Sequence, residues 1–147
     1  MYKRMLLPVV FAMTLVTAVQ AALVPTKETR VRPGSMVDVV AVYGRPAKFE
    51  AVFEYELKDT VTNKRGIWRP LANQRTTFRS TVVGYEGILD SPCTDSSGKV
   101  SISYTFVQKN KQLGWGTRFY SFSPVRPTIN GISLFEGGGV ARLTFQR

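Results

Sequence analysis

The chain has no histidine, a single cysteine and only ten aspartates and glutamates among its 147 residues. Without histidine no Ser-His-Asp or Cys-His constellation can form, and a common nitrogen ligand of zinc is missing, so the usual routes to hydrolysis and metal catalysis are largely closed. The expectation is a protein that is not an enzyme and carries no metal or other cofactor. One cysteine cannot make an internal disulfide. No apolar run reaches about 18 residues, which argues against a multispanning helical membrane protein. At 44% hydrophobic and 20% charged residues the chain is too apolar for wholesale disorder and fits one ordinary domain.

What is present begins with an export signal. Lys3 and Arg4 precede a mostly apolar stretch from Met5 to Ala18, and the segment closes in Val19-Gln20-Ala21. This is the pattern of a secretory signal peptide over residues 1–21, cleaved after Ala21 to leave a single domain over 22–147. About 14 apolar residues rise only about 21 Å as a helix, short of the ~30 Å hydrocarbon core, so an uncleaved anchor fits less well. The signal has a bacterial style and points to the periplasm, secretion or the cell surface. Losing Lys3 and Arg4 removes two of 20 basic residues from a chain of net charge +10. The remaining basic excess favours an acidic protein face, an anionic glycan or lipid headgroups. Nucleic acid ranks last among the anionic partners.

Cys93 lies in Asp90-Ser-Pro-Cys-Thr-Asp95-Ser-Ser-Gly98, a stretch dense in turn formers. A buried or inert thiol is the first expectation, pairing with another chain the second; a nucleophile would need a neighbouring base.

The mature chain reads as strands. Ala22 to Ser35 is an extended arm or edge strand, and Met36 to Val42 a β-branched strand closed by Gly44 and Pro46. Phe49, Ala51, Phe53, Tyr55 and Leu57 alternate with Lys48, Glu50, Val52, Glu54 and Glu56, the two-residue period of a sheet buried on one side. Arg75 to Val83 alternates likewise, with Thr76, Phe78, Ser80 and Val82 on one side. Were the two strands neighbours, Arg75 and Arg79 would meet the glutamates. Lys99 to Val107 points Val100, Ile102, Tyr104 and Phe106 inward, and pairs naturally as a hairpin with Thr117 to Ser123. Ile132 to Phe135 is a short strand, Gly137-Gly138-Gly139 a flexible break, and Val140 to Gln146 a final strand. About seven short strands without helical periodicity predict an all-β, antiparallel β-sandwich of immunoglobulin-like type, with a small β-barrel as the alternative.

Several constellations stand out. Glu50, Glu54 and Glu56 share one strand face and read as an ion-paired surface rather than a glycosidase pair. Asp90 and Asp95 read as turn builders before calcium ligands. Lys109, Lys111, Trp115 and Arg118 interleave cations with an aromatic, as surfaces gripping anionic polymers do. Trp68 and Arg69, preceded by Lys64 and Arg65, form a weaker copy. Val140, Ala141, Leu143 and Phe145 lie on a terminal strand suited to partner pairing through an exposed edge. Together these describe a non-catalytic exported protein-interaction subunit of a bacterial envelope, pilus or secretion assembly, acting through sheet-edge or loop contacts, with homo-oligomerisation compatible. The alternative is a secreted binding protein or inhibitor that recognises an anionic polymer or a target enzyme.

The signal reading is checked by intact mass spectrometry of the exported protein: the expected N-terminus is Ala22, and retention of residues 1–21 overturns it.

Overall fold

The structure is a computed structural model that describes residues 22–108 and 116–146. The expected signal peptide, residues 1–21, and the candidates Lys109, Lys111 and Trp115 lie outside the described residues. The protein is all-β, with curled sheets that include a half-barrel. In chain order the strands are β1 (Leu23–Val31), β2 (Val39–Val42), β3 (Pro46–Asp59), β4 (Ile67–Pro70), β5 (Thr76–Ser80), β6 (Ile88–Asp90), β7 (Lys99–Thr105), β8 (Thr117–Pro124), β9 (Thr128–Ile129), β10 (Ile132–Ser133) and β11 (Gly139–Gln146).

The first sheet is organised by β3, whose 14 residues are long enough to serve successive partners. One of its edges takes β1. The other pairs with β7 from Pro46 to Val52 and with β4 from Glu54 to Leu57. The change of partner falls at Phe53, whose N–H donates to the Gly98 carbonyl (2.8 Å) and whose carbonyl accepts the Leu71 N–H (2.9 Å). The second sheet runs in the order β2-β11-β8-β5-β6. Only its β2–β11 pair is parallel. The arm therefore begins antiparallel to β3 and, after the turn at Arg32–Ser35, ends as an edge of the second sheet. A two-stranded ribbon, β9–β10, stands apart.

Alternating side chains from both sheets fill one core. Phe49 and Phe53 from β3, Val100 and Ile102 from β7, Phe78 from β5, Tyr120 and Phe122 from β8, and Leu143 and Phe145 from β11 are buried. Rings meet across the two sheets, with Phe49 centred 4.9 Å from both Phe78 and Tyr120. Offset and edge-on pairs of this kind contribute about 0.5–1.5 kcal/mol each beyond the area they bury. The Tyr120 hydroxyl donates to the Val37 carbonyl at 2.6 Å, so the core tyrosine leaves no orphan polar group.

Five expectations are corrected. β7 and β8 do not form a hairpin, because their apolar residues face each other across the core, and β8 pairs instead with β5 and β11. Cys93 is exposed rather than buried, the backbone of its neighbour Arg75 bridging it at the sheet margin. Arg75 and Arg79 do not meet the glutamates, since β5 belongs to the second sheet. Met36 to Asp38 precede β2 rather than belonging to it. The triple glycine is a close-packed crossing, not a flexible break: a Cβ on Gly138 would lie 2.8 Å from the Phe122 carbonyl oxygen, and one on Gly139 would lie 2.6 Å from Val31 Cγ2.

Gly98 shows what such a contact is worth. Its φ of +77° disfavours any L side chain, and a Cβ there would drive into the Phe53 carbonyl at the β7-to-β4 junction. Gly66 has a similar φ of +83° but nothing within 4 Å of its missing Cβ. Gly98→Ala is expected to cost about 3 kcal/mol, strain plus overpacking, and Gly66→Ala about 1 kcal/mol, strain alone. Urea denaturation of both variants measures the difference.

Candidate protein-interaction surface

The positions singled out in the sequence do not gather into one site among the described residues. Arg118 follows the inward alternation of β8, opposite Leu143 at the end of the core. It is half-buried near Tyr43, whose ring stacks on Phe145 at 4.0 Å. Trp68 is half-buried, and the Arg30 guanidinium carbon sits 3.9 Å over its ring, so one indole face is already occupied. Arg69 is exposed and donates through Nη1 to the Trp68 carbonyl at 3.2 Å. Leu143 and Phe145 are core residues, and Ala141 packs against the core. Val140 alone of the four terminal-strand positions is well exposed, at 68%. On one side the strand that carries them, β11, pairs with β8 from Gly139 to Thr144; on the other β2 covers it only from Leu143 to Gln146, with the Arg142 N–H donating to Asp38 Oδ1 at 3.2 Å.

The glutamate face of β3 is internally balanced. Arg30 and Arg32 both bind Glu54, at 2.9 and 2.7 Å. Arg65 reaches Glu56 at 2.8 Å, where the Thr26 hydroxyl also donates. Lys48 and Lys99 meet Glu50. Burial pushes the Glu54 carboxyl up, but the two arginines outweigh it and hold its pKa below the ordinary 4.5. Asp95 accepts from the Ser97 N–H and hydroxyl and from the Lys99 N–H, which makes it the turn builder that its sequence suggests. Among the described residues no group of three or more acidic or cysteine side chains gathers as a metal would require.

The outer face of the second sheet has a different chemistry. Side chains that alternate away from the core place Phe119 on β8, Val140 and Arg142 on β11, Arg79 on β5 and Ile88 on β6. Register sets Arg142 opposite Phe119, Val140 opposite Ser121, and Arg79 opposite both Ser121 and Ile88. Phe119, Ile88 and Val140 are 44%, 56% and 68% exposed. Phe119 and Val140 border a shallow depression of about 270 Å³ that Arg79, Thr81, Gly87 and Ser121 also line, with no carboxylate in its lining. Among the described residues neither Arg79 nor Arg142 has an ion-pair partner, in contrast to Arg30, Arg32 and Arg65. The sequence did carry a signal for this face: Phe119 and Tyr120 are adjacent, and on an alternating strand only one of two neighbours can enter the core.

No protein-family model matches the chain, and neither a curated protein nor a solved structure is significantly similar to it.

Because the Glu54 pKa is lower folded than unfolded, its stabilisation is complete above about pH 4.5 and is lost as pH falls through the folded value. Glu54→Gln is expected to cost about 1–2 kcal/mol at pH 7, discounted for the partly exposed arginines, and to flatten the acid limb of stability. Urea midpoints of both proteins from pH 7 to pH 3 test this: the two curves should converge on acidification.

Proposed function

We propose that this protein is a non-catalytic, exported interaction subunit of a bacterial envelope assembly, and that the outer face of its second sheet binds an acidic protein partner. The observation that carries this reading is the pairing of exposed Phe119 and Val140 with two arginines that have no internal counter-ion among the described residues. Aromatic and arginine side chains dominate the energetics of protein interfaces, and exposed apolar patches flanked by polar groups are characteristic of such surfaces. The basic balance of the whole chain acts in the same sense, steering an acidic partner toward it. The export signal motivates the periplasmic or cell-surface setting.

An immunoglobulin-like sandwich is the fold we propose for this module. Its support is the strand order: an arm antiparallel to β3 that switches sheets to lie parallel to the last strand, a β11-β8-β5-β6 run in the second sheet, and the β3–β7 pair in the first. That architecture hosts many binding roles and assigns none of them, so the function rests on the surface and not on the scaffold.

The test is a photo-crosslinking residue at Ser121 in cells that export the protein, with adducts identified by mass spectrometry. A discrete protein adduct is expected, and Phe119→Ala with Val140→Ala should weaken the recovered complex about tenfold or more. Arg79→Glu with Arg142→Glu should abolish it without moving the unfolding midpoint. Absence of an adduct at Ser121, or binding indifferent to all four substitutions, overturns the proposal. Retention on heparin that is lost in the arginine variant, with no protein adduct, would replace it with recognition of an anionic polymer.

A further inference from the structure

A sheet edge is safe from other chains only where something covers it, and the first sheet treats its edges unequally. The outer edge of β1 is covered: the Phe135 N–H donates to the Lys27 carbonyl (2.8 Å), and the Gly137 N–H donates to Thr29 Oγ1 (2.7 Å). That of β4 is blunted by Pro70, which has no N–H, and by Arg69 on the Trp68 carbonyl. Among the described residues two stretches stay open: β3 at Lys48 and Glu50, where β1 no longer runs beside it and the side chains are charged, and β7, where they are not.

Gly98 bonds toward β3, so alternation turns the backbone of Lys99, Ser101, Ser103, Thr105 and Val107 the other way. Both ends of this outward row are plugged. The Lys99 carbonyl accepts the Asp95 N–H (2.9 Å) and the Lys99 N–H donates to Asp95 Oδ1 (3.0 Å). At the far end the Tyr85 hydroxyl accepts the Val107 N–H (2.9 Å) and donates to the Val107 carbonyl (3.1 Å). Between the plugs, the outward N–H and C=O groups of Ser101, Ser103 and Thr105 have no partner among the described residues.

We infer that this edge pairs with the same edge of a second copy, antiparallel about Ser103, to join two first sheets into one. Two features select a second copy. The open segment is self-complementary: Ser103 would face Ser103 of the second copy and Ser101 would face its Thr105, and all six open groups of each chain would bond before the plugs at Lys99 and Val107 end the ladder. The segment is also uncharged, so two strongly basic molecules meet there with no like charges directly opposed, and Ser–Ser and Ser–Thr contacts suit small polar pairs across strands. Phe119 and Val140 lie on the other sheet, so this inference stands or falls separately from the acidic-partner proposal.

The test is the mass of the mature protein by light scattering and sedimentation across concentration, with reductant present so that exposed Cys93 cannot link copies. A reversible dimer is expected. Ser103→Pro deletes a donor that points away from β3, so it should give a monomer with its unfolding midpoint little changed. Ser103→Lys and Ser103→Glu should each be monomeric, because like charges would face each other at the two-fold axis, whereas mixing the two in equal amounts should restore the dimer. A wild-type protein that stays monomeric at all concentrations, or a dimer that survives Ser103→Pro and Ser103→Lys, overturns the inference. Failure of the charge-swapped pair to associate, when each variant alone is monomeric, overturns the two-fold pairing at Ser103.

Discussion

Everything in this fold hangs on the two-residue alternation of β3. Phe49, Ala51 and Phe53 enter the core while Glu50, Glu54 and Glu56 remain on the opposite face, and the strand is long enough to hold three neighbours. At Phe53 a single residue supplies its N–H to one partner and its carbonyl to the next. A shift of one residue in that strand would put three glutamates into an aromatic core, away from the lysines and arginines that now pair with them. Register is therefore fixed by side-chain chemistry before any turn is considered, and β1, β4 and β7 take their places against it.

The same alternation explains how much could be read from the sequence. The inward sets on β3, β5 and β7 are legible because one strand needs only its own residues to declare which side is apolar. Thr76, Phe78, Ser80 and Val82 are all buried, as their spacing predicts. Pairing is not legible in this way, since Val100 and Ile102 would show the same pattern whether they lay beside Tyr120 and Phe122 or across the core from them. The hairpin expected between β7 and β8 failed for that reason. Gly137 to Gly139 were misread on composition: glycine signals either freedom or close approach, and only the positions of Thr29, Phe122 and Val31 distinguish the two.

The candidate surface was less legible than the core. The sequence points to Val140 through the backbone of a terminal strand, whereas what the fold exposes is its side chain. Phe119 shows in sequence only as one of two adjacent aromatics of which one must face outward, and Arg79 and Arg142 belong to no motif that points to this face. They become neighbours only once β5, β8 and β11 lie side by side, and that order is a property of the whole chain. The Trp68 cluster went the other way, as a cation and an indole close in sequence suggested a ligand platform, yet the cation that stacks on Trp68 is Arg30, from β1.

The distribution of charge then follows from which strands carry carboxylates. On the outer face of the first sheet Glu50, Glu54 and Glu56 engage five cations, Lys48, Lys99, Arg30, Arg32 and Arg65. The outer positions of β5, β8 and β11 hold no acid, so Arg79 and Arg142 carry part of the chain's basic excess into solvent beside Phe119. An acidic partner gains most where a cation's field is not already spent on a neighbour, because displacing an existing ion pair costs what the new one supplies. Self-association has the opposite requirement and is easiest where no charge is present. The two sheets meet these demands separately, one with an unneutralised aromatic face and the other with a short neutral edge.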